Sequence, residues 1–405
     1  MQKKALTRNV FMTGLTSFFT DISSEMIYPL LQAFVRQILA SARTLVGPLL
    51  GIIEGIAEST ASLLKVYAGY VSDRLAKRKA PAIAGYATSA LSKLLLLLSS
   101  ISWVFVLFFR FLDRVGKGVR TAPRDALISE SIDKSVRGKA FGLQRGMDFA
   151  GATLGVVIAY FLVRAFMDPA TQELQSIDAF RTIFIISIIP AFIGVLFLFL
   201  TKETRAGAVT TAKDRPRPNL NFRTYGKSLQ LFFLSQAVFT LGNSSNQFLL
   251  LRTMDLGFLL STTILFYLIF NLSSSLFSTF FGSLSDKIGR KKVLVGGYAL
   301  YAAVYASFGL IPLDLGLLLW VVWPFYGLYY AMTEGVEKAF VADMAPEESR
   351  ATALGFYHTI VGIGLLPASI IAGILYSFLP SAPFLFGAVT SVVAIGIIVV
   401  AVREK

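Results

Sequence analysis

The chain is a succession of apolar runs separated by short, mostly basic links. Runs close to the roughly 20 residues needed to cross a hydrocarbon layer lie at 10–32, 45–69, 81–100, 103–128, 139–165, 179–201, 229–250, 258–282, 293–311, 315–343, 351–378 and 382–402. Continuous apolarity of this length predicts helices, whereas a membrane β-barrel would alternate over segments of about ten residues. The expected fold class is an all-α polytopic membrane protein with twelve spans. Several runs exceed the minimum, which a tilted or projecting helix accommodates. The fourth is the least apolar, because Arg110, Arg114, Lys117 and Arg124 interrupt it.

The links set a topology. With a cytoplasmic amino terminus, Lys3, Lys4 and Arg8 share a side with Arg74, Lys77, Arg78 and Lys79, then Lys134, Arg137 and Lys139, then Lys287, Arg290, Lys291 and Lys292. The other side carries chiefly Arg36, Arg43 and Arg252 beside Asp168, Glu173 and Asp178. Short cytoplasmic loops collect Lys and Arg, so both termini are expected in the cytoplasm and the chain in a plasma membrane of the bacterial inner-membrane type. One break in composition stands out. Residues 202–228, rich in Arg, Pro, Thr and Asn, lack apolar periodicity and read as a flexible cytoplasmic linker. It divides a six-helix bundle, residues 1–201, from a second one, residues 229–405.

The two halves repeat. Gly-Tyr-Val-Ser-Asp-Arg-Leu-Ala-Lys-Arg-Lys at 69–79 matches Gly-Ser-Leu-Ser-Asp-Lys-Ile-Gly-Arg-Lys-Lys at 282–292, a separation of 213 residues. The same separation sets Glu58 on Asn271, Arg124 on Glu337, Glu130 on Asp343, Arg137 on Arg350 and Gly142 on Gly355. Parallel six-span repeats imply a pseudo-twofold axis along the membrane normal and a site where the halves face each other.

Composition narrows the class further. The 405 residues are 55% hydrophobic and 15% charged, against roughly 25% charged in soluble domains. The net charge of +14 sits in the cytoplasmic links, so it marks topology and not a nucleic-acid partner. Zero cysteine removes disulfides and thiolate metal sites, and one histidine, His358, removes an imidazole cage. Gly116-Lys117-Gly118 lacks the spacing of a phosphate-binding loop. The expectation is a protein that is not an enzyme, with no cofactor and no metal.

The loops 69–79 and 282–292 resemble the signature that the major facilitator superfamily of secondary transporters carries after its second and eighth helices, and the resemblance extends over essentially the whole chain. Arg114 to Gly118 is similar to the fourth-helix motif of proton-coupled members, with Lys117 where the family has Gln and an additional Gly116. Gly151 to Gly155 partly matches the fifth-helix antiporter pattern, without its proline. The resemblance implies a monomer among membrane lipids, rocking two halves to move a small molecule, with protons as the coupling ion. It implies proton-coupled efflux by antiport, or alternatively uptake or exchange of a small polar or anionic metabolite. In the family, Asp73 with Arg74 and Asp286 with Lys287 act as cytoplasmic gates, to which Arg137 and Arg350 are added.

The candidate transport residues follow from charge inside apolar spans, which is costly unless paired or wetted. Asp21 and Glu25 lie four apart on the first span, followed by Tyr28, and Glu54 and Glu58 lie four apart on the second. Their spacing sets each pair on one face, expected to confront Arg110, Arg114 and Lys117 of the fourth. A carboxylate there can hold a proton in one access state and release it in the other, when the Arg114 guanidinium comes close and favours the ionised form; Glu25 or Asp21 is the expected carrier, then Glu58. Arg145 joins them on the fifth. The second half is different in kind: Asn243, Asn246, Gln247, Tyr267, Asn271 and Tyr330 offer uncharged hydrogen-bonding groups suited to orienting a substrate. Glu334 and Lys338, i and i+4, form a local pair.

Overall fold

The computed structural model describes residues 7–75, 77–132, 137–168, 174, 176–203, 225–345 and 350–402. Among them the twelve expected spans are present as helices. The first is broken: α1 (Arg8–Ile27), whose amino end is capped by the Thr7 hydroxyl, gives way to a tight turn at Tyr28–Leu30 and then α2 (Leu31–Ile38). Pro29 forces this break, since its ring removes one amide donor and clashes with the preceding turn. There follow α3 (Val46–Leu75), α4 (Lys79–Ser92) extended by a tighter turn to Leu98, α5 (Trp103–Glu130), α6 (Arg137–Phe166) and α7 (Ile177–Phe199).

The second half opens on another broken span. The chain leaves α8 (Lys227–Gly242) at Asn243 and re-enters as α9 (Asn246–Asp255), with the Ser245 hydroxyl accepting from the Gln247 amide at 3.3 Å. Asn and Ser compete with helical hydrogen bonds through their own side chains, so a run read as one helix over 229–250 is two. Then come α10 (Leu260–Ile288), α11 (Arg290–Leu310), α12 (Leu319–Met344), α13 (Arg350–Phe378) and α14 (Ala382–Ala401). Among the described residues eight helices are long and apolar enough to cross a membrane on length and composition alone. The rest carry charge in mid-span, as in α1, α3 and α5, or are interrupted, as in α8 and α9.

The contacts divide the chain into Met1–Ile38 with Ile56–Pro216, and Leu39–Gly55 with Arg217–Lys405. α3 contributes to both. In the first unit α1 packs on α6 and α7, and α4 on α5. Glycine permits the close approaches: a Cβ on Gly85 would stand 2.6 Å from the Gly116 carbonyl oxygen, and one on Gly155 would stand 3.1 Å from Glu25 Cβ. The extra Gly116, and the partial motif around Gly155, are thus packing features of these helix pairs. In the second unit α8 and α11 pack on α14, and α10 and α11 on α12, around a fully buried aromatic core of Trp323, Tyr298, Tyr301, Tyr305 and Tyr326. Outward-facing residues such as Leu276, Phe378 and Val400 are exposed, as lipid-facing positions are.

Candidate functional site

In the first unit a charged seam runs along α5. Helical spacing brings Arg110, Asp113 and Arg114 to one side, all buried. Glu58 of α3 receives both guanidinium groups, from Arg114 at 3.2 Å and Arg110 at 3.6 Å. Asp113 lies 4.0 Å from each of them and accepts a hydrogen bond from the Ser89 hydroxyl of α4. The expected confrontation of α3 with α5 therefore exists, at Glu58. Arg110 also stands 5.3 Å over the ring of Tyr28, a distance at which the ring face attracts the cation. Glu25, half-buried on α1, lies beside the Gly155 approach.

Three further cations of this unit meet no carboxylate oxygen within ion-pair distance among the described residues. Lys93, inside the apolar third span, donates to the Ser23 hydroxyl, which in turn donates to the Ser187 carbonyl, and to Ser24 at 3.3 Å. Arg120 is buried, lies 4.4 Å over the Tyr86 ring, and leaves one terminal nitrogen without a hydrogen bond. Lys117 is half-buried. Asp21, also half-buried, has no ion-pair partner among the described residues. Further along α5, Arg124 binds Asp125 at 2.9 Å, approaches Asp148 at 3.9 Å and donates to Ser17 at 3.2 Å. Arg145 is exposed, while its neighbour Gln144 donates to Asp148 at 2.8 Å. Lys93, Asp113 and Arg120 were not singled out in the sequence, although a lone cation in an apolar run is itself a signal of a buried polar contact.

The second unit gathers uncharged groups around the break between α8 and α9. Asn246 accepts from Tyr326 at 2.7 Å and from Tyr330 at 3.4 Å; Asn243 donates to the Tyr329 hydroxyl at 3.4 Å. The side-chain oxygens of Asn243 and Ser244 are buried with no hydrogen bond among the described residues. Glu54, at the part of α3 that belongs to this unit, accepts from Ser245 at 3.1 Å and is fully buried. Gln247 and Tyr267 are buried, and Asn271 donates back to the Tyr267 carbonyl of its own helix at 3.0 Å. Glu334 pairs with Lys338 at 3.6 Å on an exposed face.

At the helix ends flanking the two repeated loops the repeat reappears as chemistry. Arg78 donates to Glu130 at 3.0 Å and to the Ser72 hydroxyl at 3.0 Å. In the other unit Arg290 pairs with Asp343 and donates to the Ser285 hydroxyl at 3.1 Å. Ser72 with Ser285, and Glu130 with Asp343, keep the separation of 213 residues, whereas the two arginines are one residue closer; the linking loop has slipped by one position. Lys79 donates to the carbonyls of Phe199 and Thr201, and Lys291 to those of Val399 and Val402. Asp286 is exposed in the last turn of α10, not beyond it, and binds Arg290 at 2.9 Å; Lys287 beside it is exposed. The side chains of Asp73, Arg74, Arg137 and Arg350 lie outside the described residues.

The Major Facilitator Superfamily model matches residues 13–269 and 232–405. An uncharacterised MFS-type transporter of Methanocaldococcus jannaschii is 37% identical over 404 residues, spanning 96% of this chain and 94% of its own. The nucleoside transporter NupG superposes with a TM-score of 0.78 at 14% identity, over 98% of this chain and 100% of that one. A D-xylose-proton symporter superposes with a TM-score of 0.76 at 17% identity, over 98% of both chains. At these identities the two solved structures bear on fold alone.

Proposed function

Because the chain belongs to the Major Facilitator Superfamily and is therefore a secondary transporter of a small solute, we propose that it takes up or exchanges a small polar or anionic metabolite together with protons. The observation that carries this reading is a group of cations in the first unit that make no direct ion pair. Lys93, Lys117 and Arg120 meet no carboxylate within ion-pair distance among the described residues, and Asp21 is the corresponding acid. A cation inside a bilayer protein is costly unless directly paired or wetted, and an anionic solute supplies such a direct partner. Arg120 also offers an unused guanidinium nitrogen, suited to a carboxylate or phosphate. In the second unit the uncharged groups around Asn243 and Asn246 are suited to orienting a neutral polar part of a solute.

Coupling is assigned to Asp21 and Glu25 of α1, with Glu58, ion-paired to Arg110 and Arg114, as the further carboxylate of the relay. Both termini are assigned to the cytoplasm on the distribution of Lys and Arg, and one chain is assigned a complete pathway.

The test is uptake into proteoliposomes of a panel containing monocarboxylates, organic phosphates, sugars, nucleosides and lipophilic cations, under an imposed pH gradient. Organic anions are expected to accumulate when the outside is more acidic. Lys117→Gln and Arg120→Gln are expected to raise KM for them about tenfold or more, the worth of one charged hydrogen bond. Glu25→Gln is expected to abolish gradient-driven accumulation and to spare exchange. Gradient-driven export of lipophilic cations, insensitive to Lys117 and Arg120, would establish efflux by antiport instead.

A further inference from the structure

Away from the charged seam, α12 buries a carboxyl that has no cation. Glu337 is 6% exposed, and among the described residues no Lys or Arg nitrogen lies within ion-pair distance of it. Its polar contacts form a closed set. Tyr357 of α13 lies 2.5 Å from Oε2, the Gln236 side-chain nitrogen of α8 lies 3.2 Å from the same oxygen, and the Tyr298 hydroxyl of α11 lies 2.8 Å from Oε1. Tyr298 is also 2.5 Å from the Gln236 side-chain oxygen.

Counting hydrogens decides the state of this set. The Tyr298 hydroxyl owns one hydrogen, yet it touches two oxygens at bonding distance. If Glu337 were ionised, both would be pure acceptors and one short oxygen–oxygen contact would have no hydrogen in it. Turning the Gln236 amide over does not help: its oxygen would then face Glu337 Oε2, again acceptor to acceptor. It would also set a nitrogen 2.5 Å from Tyr298, below the 2.7–3.2 Å usual for N–H···O but ordinary for O–H···O. One added proton satisfies everything. Glu337 Oε1–H donates to Tyr298, Tyr298 donates to the Gln236 oxygen, the Gln236 amide donates to Oε2, and Tyr357 donates to Oε2.

We propose that Glu337, closed in this ring by Gln236, Tyr298 and Tyr357, is a proton-binding site of the second unit and is protonated in the conformation described. Every element packed on it agrees with a neutral group. α8 presents Gln236, α11 presents Tyr298, and α13 presents Tyr357 with His358 beside it at 5.2 Å between ring centroids. α10 puts no ionisable side chain in contact with it among the described residues, and α14 contains none. On α12 itself Tyr329 bonds to Asn243, while Glu334 and Lys338 compensate each other on the exposed face. The proton leaves Oε1 for water when the ring opens and returns when it closes. This site rests on the proton-coupled reading only for its use in transport; its occupancy does not.

The test uses the full chain, purified in detergent at neutral pH and without solute. Infrared difference spectra of the protein against Glu337→Gln are expected to show the C=O stretch of one neutral carboxyl, displaced in deuterated water and shifted in Tyr298→Phe. Titration with a pH indicator is expected to show one more bound proton per chain than Glu337→Gln holds. That variant keeps its fold, because the amide it introduces can donate to Tyr298 as the acid did; Glu337→Asp, which moves the band without removing it, provides a second check. A spectrum with no neutral carboxyl assignable to Glu337, or equal proton counts, would overturn the proposal. Loss of proton coupling in the intact transporter with the band still present would overturn the transport reading and leave the site.

Discussion

The α4–α5 contact tests whether packing holds the charged seam in place. A Cβ on Gly116 would fall within contact of the Gly85 carbonyl oxygen and 2.8 Å from the Ser89 nitrogen, against 3.4–4 Å for ordinary contact. Both neighbours are backbone, so no rotamer change relieves Gly116→Ala; the helices must separate. Overpacking of this kind costs about 1–3 kcal/mol. Alanine returns up to ~1 kcal/mol through its better helix propensity, leaving a net loss of up to about 2 kcal/mol. A control of opposite sign exists on α6, where Gly142 has nothing within 4 Å of its would-be Cβ; there the propensity gain stands alone. Melting of the detergent-purified protein, followed by intrinsic tryptophan fluorescence, should fall by several °C for Gly116→Ala, at roughly 2–4 °C per kcal/mol, and should hold or rise for Gly142→Ala. Separation of α4 from α5 also stretches the Ser89–Asp113 bond, so solute affinity should fall with stability. A Gly116→Ala protein as stable as the parent would refute the close approach and the seam geometry built on it.

Three other outcomes are expected. Glu58→Gln leaves Arg110 and Arg114 facing each other with Asp113 at 4.0 Å; removal of one partner of a buried pair costs about 3–5 kcal/mol, and Glu58 is 33% exposed, so the melting temperature should drop toward the low end of that range and partly recover in Glu58→Gln/Arg114→Gln. Arg290→Ala removes bonds to carboxylates that are mostly exposed, so melting should change by less than about 1 kcal/mol, while turnover measured by solute exchange should fall several-fold if this cluster acts as a gate. Lys79→Ala strips a cation from the carbonyl end of α7, costing about 1 kcal/mol; hydrogen exchange of the amides following Phe199 reads the fraying, and unchanged exchange would remove that role.

The spans and the duplication were legible because both follow from one-dimensional regularities: long apolar runs and a constant spacing between similar loops. Glu58 against Arg110 and Arg114 was legible too, since the two arginines lie four apart on one apolar span and Glu58 lies inside another. Asp113 was not, because its polarity is hidden among the neighbouring arginines and only the rotation of α4 brings Ser89 to it. The break at Asn243 was missed for a related reason: its apolar flanks read as continuous, while the run of Asn and Ser there was assigned to binding and not to competition with the helix. Arg78 with Glu130, and Arg290 with Asp343, show a limit of constant spacing, since a one-residue slip in a loop preserves the contact while shifting the letters.

The charge on α5 also bears on how the chain reaches its membrane. On an insertion scale each Arg, Lys or Asp at a helix centre disfavours entry by about 2.5–3.5 kcal/mol, and α5 presents Arg110, Asp113, Arg114, Lys117 and Arg120 in one span. Such a segment does not partition into lipid by itself. α3 and α4 are synthesised before it, so Glu58 and Ser89 are already on hand when it emerges. Biogenesis of this half is thereby ordered: a nascent chain deprived of those two helices would be expected to leave α5 stranded at the surface.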